Sequence, residues 1–249
     1  MTNTPMKPIL KTIAWLTAFS IAMGYLESAV VVYLRMLFYP EGFHFPLKVL
    51  DHSTAITEFW REAATIIMLY GVAWLAGKNR HQRFAFFLYN FAIWDLFYYV
   101  FLKVILNWPE SLLTWDILFL IPVPWVGPVL VPCILSITMI VFSGIILNFN
   151  IKDPNTRMIP SEQLLIIAGC IVVIASCVED YISNLRERKE LGNIFNIFSP
   201  QSKAQLFTDF TTYMPKSFDW LVFGIGEGLI LMAIVIYFVR LKSTLVPKG

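Results

Sequence analysis

Residues 54–77, TAITEFWREAATIIMLYGVAWLAG, decide the class of this protein, because they set Glu58, Arg61 and Glu62 at the head of a run that otherwise reads as hydrocarbon-soluble. At helical spacing the three charges share one stripe with Thr65 and Leu69. A charged side chain inside a bilayer costs roughly 2.5–3.5 kcal/mol on insertion scales, so the stripe has to face other polar groups or water rather than lipid. Its partners must come from the remaining chain.

That chain is as apolar as the stretch suggests. Of its 249 residues, 57% are hydrophobic, against roughly 45–50% for a soluble domain. The expectation is an all-α integral membrane protein, one polytopic domain over 1–249 with six spans at about 12–37, 54–77, 84–106, 126–147, 162–182 and 218–239. Lys7 and Lys11 precede the first apolar run as in a signal peptide. Glu27 and the lack of a small-residue cleavage site instead favour a retained first span. A net charge of +2 with no basic patch argues against a nucleic-acid partner. The bilayer itself is the partner expected, and partner subunits are not specified by the sequence.

Outside the spans, punctuation residues set the pattern. Tyr39-Pro40 and Gly42 end the first helix, and a loop with Glu41, His44, Asp51 and His52 leads to the second. Asn107 and Pro109 read as the start of a short helix through ESLLTWDILFLI, too short to cross. Pro122, Pro124, Pro128 and Pro132 follow, a density that predicts an interfacial or re-entrant segment before the fourth span. The loop 183–217 contains Ser199-Pro200 at the head of an amphipathic helix, about 200–213, with Leu206, Phe207 and Phe210 on its apolar side. Gly224, Gly226 and Gly228 surround Glu227 and predict close helix approach or a local kink.

Basic residues give the orientation. Six spans put both termini on one side with Lys7, Lys11, Lys78, Arg80, Arg83, Lys152, Arg157, Arg240, Lys242 and Lys248, whereas the short opposite loops carry only Lys48. Both termini are therefore expected in the cytoplasm, with a bacterial inner (plasma) membrane as the setting. In that orientation Glu27, Glu58, Arg61, Glu62, Asp95, Glu179, Asp180 and Glu227 all fall in the middle or outer half. Glu27, Asp95 and Glu227 lie about 14–17 Å below the outer surface. Three deep acids beneath Arg35, Arg61 and Lys103 suggest one outward-open cavity, lined also by Tyr98 and Tyr99 beside Asp95.

Acids outnumber the cations available to pair them, which points to a ligand, ion or lipid in an outer-leaflet cavity. The favoured reading is binding or transport of a small cationic or amphiphilic ligand, or of protons. Two alternatives stay open: an enzyme acting on a lipid or lipid-linked substrate at the outer interface with Asp95 or Glu62 as acid or base, and a structural subunit of a membrane complex. No cofactor is expected. No histidine falls inside a span, which excludes a bis-histidine haem site and a helical HExxH zinc site. His44 and His52, with Asp51 and Glu58, are the only outer metal candidates. Cys133, Cys170 and Cys177 fall inside spans, where no disulfide framework or zinc ribbon is expected, and Cys170 and Cys177, seven apart on one helix face, read as small buried side chains. Neither GxSxG nor a phosphate-cradling glycine loop occurs.

Overall fold

The structure is a computed structural model and describes residues 6–48, 51–121, 123–187 and 213–245, the side chains of residues 6–8, 52 and 245 excepted. The amphipathic helix expected at 200–213 lies outside the described residues. The described chain is mostly helical: α1 (Met6–Phe38), α2 (His52–Ala76), α3 (Arg80–Leu106), α4 (Leu130–Lys152), α5 (Pro160–Glu187) and α6 (Trp220–Leu245), with a hairpin of β1 (Trp115–Phe119) and β2 (Trp125–Pro128) between α3 and α4. Five of the helices, α1, α3, α4, α5 and α6, are long and apolar enough to cross a membrane, which fits a polytopic membrane protein. Helix α2, of similar length, is not among them: its first half carries Glu58, Arg61 and Glu62.

Caps set the helix ends. Asp51 caps α2 by accepting from the Ser53 and Thr54 amides at 3.1 Å, and their hydroxyls add further bonds that hold its carboxyl well below the usual carboxylate range. Asn79 caps α3 in the same way. Asn107, expected to start a short helix, ends α3 instead, in the left-handed conformation that asparagine tolerates.

Cross-helix contacts show that successive helices alternate in direction. Thr17 meets Tyr89 and Ser28 meets the Tyr98 carbonyl, so α1 and α3 are parallel. Tyr70 packs on Phe87 while Arg83 stacks on Trp74, so α2 runs against α3. Glu162 pairs with Arg240, and Gly169 meets Gly226, which makes α5 and α6 antiparallel. One end of the bundle thus carries the beginnings of α1, α3 and α5. It is closed by Asn150, whose carbonyl accepts from Asn79 and Gln82, and by the buried Glu162 bonded to Arg240 at 2.7 and 2.9 Å.

Two close approaches depend on glycine. A Cβ on Gly24 would lie 2.9 Å from the Trp94 carbonyl oxygen, and one on Gly226 would lie 2.9 Å from the carbonyl oxygen of Gly169. In lipid, where no hydrophobic effect drives helices together, such backbone proximity is a main source of packing.

The hairpin corrects the expectation of a helix at ESLLTWDILFLI. Asp116 lies opposite Gly127 and Ile117 opposite Val126 in an antiparallel register. A lone two-stranded hairpin is marginal in water. Here Val126 is buried with Tyr181, Leu185 and Tyr213, and Glu62 accepts the Leu120 amide at 2.9 Å just beyond β1. Pro124 precedes β2, Pro128 is its last residue, and Pro132 occupies the first turn of α4. Helix α4 therefore begins at Leu130, four residues later than expected.

Candidate functional site

A cavity of about 170 Å³ opens between the last turns of α1, the first half of α2, the last half of α3 and strand β1. Its wall positions follow from helical spacing. Glu27, Val31, Leu34, Arg35 and Phe38 line it from one face of α1, and Trp94, Asp95, Tyr98 and Tyr99 from one face of α3. Glu58, Arg61 and Glu62 enter from α2, Asp116 from β1, and Tyr39, Phe43 and Lys48 from the loop that follows α1.

The charges lie in layers. At 1.5 Å per residue, Glu27 is about 16 Å from the C-terminal end of α1, Glu62 about 15 Å from the N-terminal end of α2, and Asp95 about 16 Å from the C-terminal end of α3. These three acids form the floor. Arg35 sits about 4–5 Å from the end of α1, and Lys48 lies in the loop beyond.

Pairing is uneven across these layers. Arg61 is bonded to Glu27 and, at 2.8 Å, to Glu58, which joins α1 to α2. Thr65 adds a hydroxyl to Glu27. Arg35 faces Asp116 at 3.7 Å while its guanidinium is held between the rings of Phe43 (4.4 Å) and Trp108 (3.7 Å). Tyr99 donates to the other oxygen of Asp116. Burial, opposed by Arg35, pushes the Asp116 carboxyl up to about 6. Neither Glu62 nor Asp95 forms an ion pair among the described residues, although the adjacent Arg61 guanidinium acts on Glu62 from longer range. Glu62 accepts only the Leu120 amide, and Asp95 only the Ser136 hydroxyl at 2.8 Å. Five carboxylates thus line a cavity that the buried Arg35, the half-buried Arg61 and the exposed Lys48 serve.

Several residues expected in the cavity lie elsewhere. Glu227 is bonded to Thr138 at 2.5 Å between α4 and α6, outside the cavity wall, and its second oxygen is buried without a partner among the described residues. Ser136 and Thr138 explain the separation: two residues apart on α4, they turn to opposite sides, one toward Asp95 and the other toward Glu227. Asp180 accepts the Tyr213 hydroxyl at 2.6 Å and the amides of Lys216 and Ser217, fixing the chain ahead of α6. Glu179 is exposed. Lys103 pairs with no acid among the described residues; it donates to the Asn107 and Pro109 carbonyls, closing the end of α3. His44 is exposed, the His52 side chain lies outside the described residues, and no group of three metal-ligating side chains occurs among the described residues.

Asp116, Phe43, Trp108 and Lys48 are the participants that helical periodicity does not reveal. Each belongs to a loop or strand, so its neighbours are set by tertiary folding. Comparison of the chain with protein-family models, curated proteins and solved structures finds no match.

Proposed function

We propose that this chain is a six-span membrane protein whose outward-facing cavity binds a small amphiphile through its cationic group. Helix α2 is the sixth span, and its charges are accommodated because they face the cavity and α1 instead of lipid. The end bearing Lys11, Lys78, Arg80, Arg83, Lys152, Arg157, Arg240 and Lys242 is cytoplasmic, by the bias of basic residues in short loops. The cavity then opens to the extracytoplasmic side.

The observation that supports the reading is that Glu62 and Asp95 line the cavity floor with one neutral hydrogen-bond donor each and no ion pair among the described residues, the Arg61 guanidinium beside Glu62 being bonded to Glu27 and Glu58 instead. A carboxylate away from water is stabilised by an opposite charge, so a cation entering this floor meets two acceptors already held in place. Val31, Leu34, Phe38 and Ile117 supply the apolar walls along which the body of an amphiphile packs. The polar networks at Asn150 and Glu162 close the opposite end, which makes binding from outside the primary event.

Hexylamine titrated calorimetrically into the protein in uncharged maltoside micelles tests this. Binding is expected in the wild type and should weaken at least tenfold in Glu62→Gln and in Asp95→Asn, with unchanged thermal midpoints establishing that both variants fold. Binding that survives both substitutions would remove the proposal. Cysteine labelling of the two termini from the cytoplasmic side checks the orientation separately.

A further inference from the structure

The charges of the cavity sort into those already paired and those left over, and the leftovers are not all of one sign. Arg61 is taken up by Glu27 and Glu58, and Arg35 by Asp116 and two aromatic rings. What remains is Glu62 and Asp95 at the floor and Lys48 at the mouth. Lys48 is exposed, lines the cavity, and has no carboxylate partner among the described residues. Its position is fixed: its amide donates to the Tyr39 hydroxyl at 2.7 Å, and its ammonium lies over the Tyr39 ring. The floor adds one unused donor: Trp94, next to Asp95, is 8% exposed, and its indole N–H has no acceptor among the described residues, an unusual state for a buried donor.

We infer that the guest is a zwitterion, its ammonium between Glu62 and Asp95 and its anionic group at the mouth against Lys48. This deepens the cation-binding reading and rests on it. The size agrees: the cavity of about 170 Å³ resembles the roughly 150 Å³ space that accepts a benzene ring, so it encloses a small zwitterion or one head group but not a lipid tail. The floor lies about 15 Å below the mouth. Less the reach of the side chains, that depth suits charges separated by several bonds better than charges on adjacent atoms. A free ω-amino acid and an amine-bearing phospholipid head group share this chemistry.

The test compares two probes of equal length on the full chain in maltoside micelles at low salt. Hexylamine carries the ammonium alone, and 6-aminohexanoic acid adds the anion. The zwitterion is expected to bind at least tenfold more tightly, and Lys48→Met, an exposed substitution that leaves the core untouched, should erase that gain, so that the two probes bind alike. Equal binding of the two probes, or a gain that persists in Lys48→Met, overturns the zwitterion while the cation-binding reading stands. Failure of both probes to bind overturns both. Glycerophosphoethanolamine locates the source: binding tighter than 6-aminohexanoic acid supports a lipid head group, and weaker binding supports a free zwitterion.

Discussion

Arg61 of α2 is ion-paired with Glu27 of α1 across 34 positions of sequence, and the same guanidinium also holds Glu58 one turn away on its own helix. One cation thus neutralises part of two acids. Removing it should be costly, because the stability at stake is that of the carboxylates left behind more than that of the pair itself.

Arg61→Met is therefore expected to destabilise the protein by roughly 3–5 kcal/mol, and adding Glu27→Gln should recover part of the loss. A double-mutant cycle on unfolding in mixed micelles measures this. If the second substitution makes matters worse by its full independent amount, the two residues are not coupled as described.

Lys103 provides the opposite case. It stands on the stripe of α3 that carries Asp95, yet its ammonium bonds to the carbonyls of Asn107 and Pro109 and so closes the helix end. Lys103→Met should cost about 1 kcal/mol of stability. Hexylamine affinity should remain within about twofold. A large fall in affinity with stability intact would return Lys103 to the cavity.

These two residues mark how far the sequence can be read. Helical periodicity brings Glu27, Arg61 and Asp95 to the inward faces of their helices, because a side chain's direction is settled by its neighbours three and four positions away. It does not tell which helix is opposite. Glu227 has a calculable depth similar to that of Asp95, but α6 packs on α4 and α5, so α4 stands between the two acids. The hairpin is harder still. TWDILF suits a helix or a strand equally, and the later prolines only forbid a helix around themselves. The strand exists because residues 125–128 pair with it, and Asp116 gains its place beside Arg35 and Tyr99 through that pairing.

Asp116 lies in the hairpin, outside the spanning helices, and its carboxyl is pushed up to about 6 from an ordinary 3.8 by burial against the opposing pull of Arg35. A raised folded-state value means that the contribution to stability is complete below about pH 4 and disappears as pH rises through about 6. The loss is on the order of 3 kcal/mol at 1.36 kcal/mol per pKa unit. Thermal midpoints of the wild type should decline between pH 4 and 6.5 relative to Asp116→Asn, which keeps the shape and removes the titration. Parallel profiles for the two proteins would mean that Asp116 keeps its ordinary carboxylate behaviour.

Three glycines within five residues of α6 look equivalent in sequence but not in packing. A Cβ on Gly226 would lie 2.8 Å from the backbone nitrogen of Val173 and 2.9 Å from the Gly169 oxygen, whereas one on Gly224 or Gly228 would meet nothing within 4 Å. The neighbours of Gly226 are main chain of α5 and cannot rotate away, so even alanine must push α5 and α6 apart. Gly226→Ala is expected to cost about 1–3 kcal/mol, the usual range for overpacking. Gly224→Ala should be neutral or stabilise by up to about 1 kcal/mol through its better helix propensity. Combining Gly226→Ala with Gly169→Ala should cost less than the two separate losses added together, because helices already displaced by the first methyl leave room for the second. Unfolding of the four variants in the same micelles decides it, and equal effects at 224 and 226 would contradict the close α5–α6 approach.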